Sequence, residues 1–477
     1  MLNEVKSAFA GAADFTWRDI EVNGITVSVV FIDGLCSGER IGEIIRPITR
    51  RGRMDGANTP EALLLRMMEG GVYSHDCKKR GDLDAAVSDI LGGSAAVFAG
   101  NPGFCLTFEA KGFATRGVEE SGGENVSKGA KDCFIENLRT NTALVRRKIK
   151  NPALKFTSSR VGRKTSTPVS AVYIEGLTNP GLVREVTARI DGIDIDALVC
   201  AAQLEEYIAD NRLSAFPQSI CTERADKFCA GILGGRVGIL IDGLPVSYLV
   251  PGTLPAFLSA PEDYSQNFIM ASGVTLLRNA CFLISLLLPA FYIAVVNFHQ
   301  EMIPTPLALS IIEAKRDVPF TSSFEIIGML AAFEILLEAG MRLPKPMGQA
   351  VSILGALVVG QAAVEAKIVS PAVVIAVALT GIAGFTSPNQ DMSAAIRVWR
   401  LILTVGASFA GMYGLGLGSV LLLYHLCRIK SFGVPYLSPL VTGQWKDVLA
   451  RTAVRPPMWT VKWREEGLGV QDEKNQK

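Results

Sequence analysis

Val27-Ser-Val-Val-Phe-Ile-Asp-Gly-Leu35 recurs as Val169-Ser-Ala-Val-Tyr-Ile-Glu-Gly-Leu177, at an offset of 142 residues. The same offset relates Gly92-Gly93 to Gly234-Gly235 further along the chain. Because one offset holds at both ends of the unit, the match indicates an internal duplication. In each copy a β-branched strand is followed by a turn, an amphipathic helix and a Gly-Gly pair that leads into a hairpin. The sequence therefore predicts two similar mixed α/β subdomains.

Hydropathy divides the chain into two halves. From Met1 to about Tyr264 it is polar and charged, whereas from Arg278 to about Cys427 apolar stretches predominate. A helix needs about 20 apolar residues to cross the hydrocarbon core of a bilayer. Four stretches without Lys, Arg, Asp or Glu approach this length, at 279–298, 347–364, 368–386 and 401–427. The predicted fold is a pair of duplicated N-terminal soluble α/β subdomains followed by an all-α polytopic transmembrane bundle.

The predicted organisation has four parts. Residues 1–150 and 151–264 form the two soluble subdomains, 265–430 the transmembrane helical domain, and 431–477 a C-terminal tail. Nothing in the first residues reads as a cleavable signal, so we expect the soluble region to stay in the cytoplasm. Four crossings would return the tail to the same side, and the Lys and Arg residues that follow the last stretch favour this cytoplasmic placement.

Composition excludes several classes of function. A net charge of +1, with scattered Lys and Arg, provides no basic surface for nucleic acid. The three His residues are dispersed, and the chain has no phosphate-binding loop, zinc-protease motif or Gly-x-Ser-x-Gly nucleophile. The nine Cys residues have no Cys-x-x-Cys spacing and are expected to be reduced, mostly buried thiols. We therefore expect no enzyme activity, no cofactor and no metal site.

An apolar segment at 324–340 carries three acidic residues. Glu334 and Glu338 share one helix face, and Glu325 lies nearly opposite because it precedes Glu334 by nine residues. Each carboxylate costs at least about 2.5 kcal/mol in lipid, so this helix cannot face acyl chains all round. With four spans, it would be re-entrant or interfacial. The acids are candidates for a pore or for coupling between helices, and the alternative is a packed, ion-paired structural role.

Three further polar residues in the membrane half are weaker pore or coupling candidates: Gln361, Asn389 and Asp391. Gly411, Gly414 and Gly418 predict close helix packing or a subunit contact, because small residues let backbones approach. The alternative is the ordinary enrichment of Gly in membrane helices. In the soluble half, Arg146, Arg147 and Lys148 are interpreted as the solvated face of a helix, with an anionic lipid or acidic partner as the alternative.

Several stretches resemble the spore germination protein A family, the A subunits of GerA-type germinant receptors. In the membrane half they are 333–349, 359–364, 387–389 and 431–440; in the soluble half they are 136–147, 216–218, 222–224, 235–243 and 259–264. The resemblance as a whole covers nearly the entire chain, from about Phe15 to Trp463. A close paralogue of the receptor subunit, linked to the release of dipicolinic acid, shares the same motifs.

The resemblance implies a multi-pass protein of the spore inner membrane that assembles as a homo-oligomeric ring and conducts monovalent cations. It implies two partners, a transporter-like B subunit that binds the nutrient and a lipoprotein C subunit. In such a ring, repeated Glu334 and Glu338 would form a vestibule that attracts cations. Two alternatives stay open. A secondary transporter would bind its substrate near Pro388 and Asn389, and a membrane scaffold would only dock partners.

Overall fold

The repeated stretch forms a central strand in each of two five-stranded sheets. The computed structural model describes residues 1–50, 54, 56–72, 76–112, 129–342, 360–442 and 454–475. The first sheet consists of β1 (Phe15–Val22), β2 (Ile25–Ile32), β3 (Cys77–Arg80), β4 (Ser94–Ala99) and β5 (Cys105–Glu109). The second consists of β6 (Leu154–Val161), β7 (Thr167–Ile174), β8 (Ile220–Thr222), β9 (Val237–Ile241) and β10 (Ser247–Val250). The strand orders are β1-β2-β4-β5-β3 and β6-β7-β9-β10-β8, so the sheets have the same topology.

The helices that cover the sheets repeat as well. The first unit has α1 (Leu2–Ala8), α2 (Gly38–Thr49), α3 (Pro60–Arg66) and α4 (Leu83–Leu91). The second has α5 (Leu138–Lys148), α6 (Pro180–Asp191), α7 (Ala201–Ile208) and α8 (Ala225–Leu233). α2 and α6, like α4 and α8, begin 142 residues apart, which is the offset seen in the sequence.

The Gly-Gly pairs have a conformational reason. Gly93 and Gly235 follow α4 and α8 with φ of 89° and 97°, a left-handed conformation that a side chain disfavours. β9 then pairs with β10 in antiparallel register, so the hairpin predicted in the second copy is present.

α5 lies between the two units. The predicted boundary at residue 150 assigns α5 to the first unit. In the structure α5 precedes β6 as α1 precedes β1, and it is hydrogen-bonded to the second unit. The backbone N–H of Leu138 donates to the Asp242 carboxylate at 2.9 Å. Arg146 is fully buried and donates to both carboxylate oxygens of Asp14 in the first unit, at 2.7 and 2.9 Å. The prediction of a solvated basic face is therefore wrong for Arg146, which joins the two units.

The second half is helical. Its helices are α9 (Leu254–Leu258), α10 (Phe268–Phe298), α11 (Thr305–Lys315), α12 (Ser322–Arg342), α13 (Pro371–Phe385) and α14 (Gln390–Arg428). α10 packs against α12, α13 and α14. Leu240 and Leu249 of the second sheet share one continuous hydrophobic core with Ala290 of α10 and Leu403 of α14. The second α/β unit therefore rests directly on the helices.

Two of these helices, α10 and α14, are long and apolar enough to cross a membrane by length and composition. The predicted stretch 279–298 lies within α10, whereas α13, in the predicted stretch 368–386, has only 15 residues. The predicted stretch 347–364 lies outside the described residues except for 360–364, which are helical. The acidic helix α12 packs in the bundle, where Ile326 and Leu330 are buried. A polytopic bundle of four spans is therefore not established.

α14 is not one straight helix. Gly411 has φ 59° and ψ −138°, a conformation outside the helical region, and divides α14 into arms 390–410 and 412–428. The rings of Trp399 and His425 are 5.3 Å apart, whereas 26 residues of straight helix would separate them by about 39 Å. The stretch 401–427, predicted to be one continuous crossing, therefore forms a helical hairpin that turns at Gly411.

The C-terminal tail returns to the second α/β unit. After β11 (Lys430–Ser431) and β12 (Val434–Pro435), Leu468 and Val470 are buried in the core of this unit. The Arg236 guanidinium lies 3.0 Å from the Glu465 carboxylate. The tail and the second unit therefore lie at the same end of the helical bundle.

Candidate functional site

A three-residue ion pair joins α12 to the first arm of α14. The Glu334 carboxylate accepts hydrogen bonds from Arg397 Nη1 at 2.9 Å and from Arg400 Nη2 at 2.7 Å. Both arginines reach one carboxylate because residues three apart lie on the same face of a helix. Arg400 is buried, whereas about a third of Glu334 and of Arg397 is exposed. Among the candidate acids, Glu334 is thus held between two cations.

Glu338 has a different environment. Its carboxylate pairs with Arg342 of the same helix at 2.7 Å, and both side chains are mostly exposed. Exposed pairs of this spacing contribute about 0.3–0.5 kcal/mol. Glu338 therefore does not share the partners of Glu334.

Glu325 lies in the first turn of α12 and contacts two neighbouring helical segments. Its side chain is fully buried, and one carboxylate oxygen accepts a hydrogen bond from the backbone N–H of Ser370 at 2.7 Å, immediately before α13. The other oxygen lies 3.7 Å from Lys315 Nζ and has no hydrogen bond among the described residues. An acid at a helix N-terminus is favourable because the macrodipole is positive there. Glu325 therefore connects α11, α12 and α13.

The remaining polar candidates do not join this network. Asn389 caps α14, since its side-chain oxygen accepts a hydrogen bond from the Met392 backbone N–H at 2.9 Å. Gln361 is exposed in the helical segment 360–365, and Asp391 is exposed in the first turn of α14. The six candidates are thus spread along the bundle and form no single cluster.

The three candidate glycines lie along the contact between the arms of α14. A Cβ at Gly414 would lie 2.1 Å from the Gly406 carbonyl oxygen, and a Cβ at Gly418 would lie 2.6 Å from a methyl of Leu403. Gly411 makes the turn and packs against Phe298 at the end of α10. The close approach is therefore within one chain.

Sequence reasoning missed the partners of Glu334. Arg397 and Arg400 lie in the first arm of α14. The ring of Trp399 between them packs near Phe216 of the second unit, with centroids 6.4 Å apart. The sequence does contain one signal for such a partner. Arg397 and Arg400 lie three residues apart in an apolar helix, where two cations require an acidic partner.

A second buried ion pair joins the helices to the soluble half. Arg278 of α10 donates to the Asp263 carboxylate at 2.7 and 2.9 Å, and both residues are buried. Asp263 also accepts a hydrogen bond from the Ala260 backbone N–H at 2.9 Å. Elsewhere in the second unit, burial raises the pKa of the Glu205 carboxyl, and the charge of Asp391 in the first turn of α14 raises it further, while the carboxylate accepts a hydrogen bond from Ser219. Charged groups thus gather where the second unit contacts the helices.

The family profile and the aligned relatives identify the family of this chain. Spore germination protein KA of Bacillus subtilis (strain 168) is 36% identical over 481 aligned residues, which cover 99% of this chain and 87% of that protein. The uncharacterized membrane protein YfkQ of the same organism is 38% identical, with coverage of 94% and 87%. The crystal structure of the N-terminal domain of the A subunit of the Bacillus megaterium spore germinant receptor GerK3 is similar, with 24% identity, a TM-score of 0.41, and coverage of 52% of this chain and 92% of that one. The family profile described as Bacillus/Clostridium GerA spore germination protein matches residues 3–467. The chain belongs to this GerA family.

Proposed function

We propose that this chain is the A-type membrane subunit of a spore germinant receptor. The observation that carries the proposal is the family match over residues 3–467, together with relatives that are aligned along almost the whole chain. The role is in conduction or signalling and not in catalysis. The partners of the subunit are a transporter-like B subunit and a lipoprotein C subunit.

The helices lie in the spore inner membrane, with both α/β units and the tail on the cytoplasmic side. Ile375, Ile382, Phe409 and Tyr413 are 64–83% exposed on α13 and α14. Large apolar patches of this kind mark membrane or protein contacts. The contacts between the tail and the second unit support a common side for both.

The subunit assembles into a homo-oligomer that forms or gates a route for monovalent cations when a partner senses nutrient. Glu334, Arg397 and Arg400 carry a net charge of +1, so Glu334 is not a free carboxylate that attracts cations. We assign it to coupling, in which the ion pair holds α12 against α14 in the closed state. The exposed parts of Glu334 and Arg397 face out of the single chain, where a further copy or water must meet them because lipid is too costly.

The test uses spores in which this chain belongs to the single responding receptor. Glu334→Gln removes the charge that holds both arginines, and Glu338→Gln is the matched control, with the same chemical change one turn along α12. We expect Glu334→Gln to change nutrient-triggered potassium release by about tenfold or more, since Arg400 would stay buried without its carboxylate partner. Glu338→Gln should release potassium like the wild type.

Two outcomes would contradict the proposal at different levels. If Glu334→Gln spores contain the protein at its normal abundance and release potassium like the wild type, Glu334 has no coupling role. An unchanged nutrient response in spores that lack the chain would remove the receptor role itself. Particle mass in detergent separates monomer from ring, and co-purification with tagged B and C subunits tests the partners.

A further inference from the structure

A cleft of about 1090 Å³ lies where the second α/β unit, the last helix arm and the C-terminal tail meet. Arg189 and Leu213 line it on the side of the α/β unit. Arg428, at the end of the arm, and Lys430, in β11, line the opposite side. The cleft therefore opens beside the C-terminal end of the second arm of α14.

The charged residues that line the cleft carry a net charge of +1. Arg189 pairs with two carboxylates that also line it, Glu185 at 2.8 Å and Asp210, so this group carries −1, and Arg428 and Lys430 add +2. Arg428 and Lys430 are exposed and make no ion pair with any residue in the described ranges. Two cations two residues apart, at the edge of a concave site, favour an anionic ligand.

An exposed apolar ridge leads along the arm to this basic edge. Leu417, Leu421 and Tyr424 are 58%, 54% and 64% exposed. Their spacing places them on the same helix face as Arg428. At the rim, Leu213 is 97% exposed. A ligand that suits both features has an anionic head and an apolar tail.

We propose that the cleft binds the phosphodiester headgroup of an anionic phospholipid, with its acyl chains along the Leu417, Leu421 and Tyr424 ridge. The guanidinium of Arg428 donates to two phosphate oxygens, and the ammonium of Lys430 adds a point charge. Basic pockets at the cytoplasmic ends of membrane helices bind such headgroups. The inference rests on the proposed function, because that proposal places the arm in the membrane. Lipid bound here would contact the last arm and the second unit at once, and so would stabilise their arrangement.

The experiment titrates the purified full-length chain in detergent with three probes: dioctanoyl phosphatidylglycerol, dioctanoyl phosphatidylcholine and glycerol 3-phosphate. Arg428→Gln combined with Lys430→Gln should weaken phosphatidylglycerol binding about ten- to thirtyfold. The matched control is Arg18→Gln combined with Arg40→Gln, which removes two exposed cations from the first unit and should leave binding unchanged. Arg428→Lys combined with Lys430→Arg keeps both charges but moves the guanidinium, and it should bind phosphatidylglycerol more tightly than the double Gln variant.

The other probes identify the ligand. Phosphatidylcholine and glycerol 3-phosphate should both bind at least about tenfold more weakly than phosphatidylglycerol, because one lacks net charge and the other lacks the tail. If glycerol 3-phosphate binds as tightly as phosphatidylglycerol, the cleft is a site for a free phosphate and the inference is overturned. If the wild type and the double Gln variant bind phosphatidylglycerol equally, the inference is also overturned. If the double Gln variant fails to elute as folded protein, Leu421→Gln takes its place, and unchanged phosphatidylglycerol binding by it would overturn the inference.

These outcomes are separate from those of the proposed function. Binding is measured on the purified chain without spores, so loss of the nutrient response would leave the titration unchanged. A chain recovered from the soluble fraction of expressing cells would overturn both the membrane placement and the lipid site. A membrane-bound chain with no preference for anionic lipid would overturn this inference alone.

Discussion

At the scale of single residues, buried charges connect different structural parts of the chain. Arg146 meets Asp14, Arg278 meets Asp263, and Arg400 meets Glu334. A buried ion pair adds little net stability, but removal of one partner leaves an uncompensated buried charge. Each of these pairs therefore fixes a specific arrangement of the parts that it joins.

Asp14→Asn should destabilise the contact between the two α/β units by about 3 kcal/mol or more, because Arg146 would remain buried without its partner. Asp33→Asn is the matched control, since Asp33 pairs with Arg139 of the same helix α5 but both are largely exposed. An exposed pair contributes about 0–1 kcal/mol. Urea unfolding of the two variants measures the difference. Equal midpoints would show that burial of Arg146 carries no cost.

Cysteine reactivity should follow burial. Burial raises the pKa of Cys36 and Cys229 to about 12 and that of Cys105 to about 11, so hardly any thiolate exists at pH 7.5. Cys200 is exposed. A water-soluble maleimide should label Cys200 in the native protein and reach these three buried thiols only after unfolding, as peptide mass spectrometry would show. Rapid native labelling of Cys229 would contradict the packing around α8.

At the scale of secondary-structure elements, the duplication was predictable and the hairpin in α14 was not. The offset of 142 residues is visible in the sequence, and strand order and helix positions repeat with it. Gly411 lies in an apolar stretch rich in Gly, where a straight helix and a turn have the same composition. Glu334 and Arg400 are 66 residues apart, so no local pattern pairs them. Only tertiary packing decides both features.

Gly411→Ala should destabilise the hairpin by about 1–3 kcal/mol, because a side chain is strained in this backbone conformation. Its Cβ would also lie 2.7 Å from the Phe298 ring. Gly416→Ala, in the second arm of α14, is the control. A Cβ at Gly416 meets nothing within 4 Å, and Ala is a better helix former than Gly by about 1 kcal/mol. Thermal unfolding in detergent should therefore shift in opposite directions for the two variants. A wild-type melting temperature for Gly411→Ala would indicate a straight α14.

At the scale of the whole molecule, the second α/β unit is the centre of the structure. It contacts the first unit through α5, shares a core with α10 and α14, and receives the C-terminal tail. The aromatic rings of Phe216, Trp399, His425 and Tyr436 pack together at this junction. Any movement of the soluble half relative to the helices must disturb this packing and the pair between Arg278 and Asp263.

Arg278→Gln should therefore loosen the junction without unfolding either sheet. Asp263 would keep its backbone partner at Ala260 but lose the guanidinium, and the buried carboxylate would cost about 3–5 kcal/mol. Limited proteolysis should then cut at 259–267, between the second unit and α10, while the released soluble half keeps its circular dichroism spectrum. Arg455→Gln is the matched control, because Arg455 contacts the same region through exposed bonds to the Gln266 and Tyr264 carbonyls. If Arg278→Gln and Arg455→Gln are cut at the same rate, the buried pair does not hold the junction, and the shared hydrophobic core does so alone.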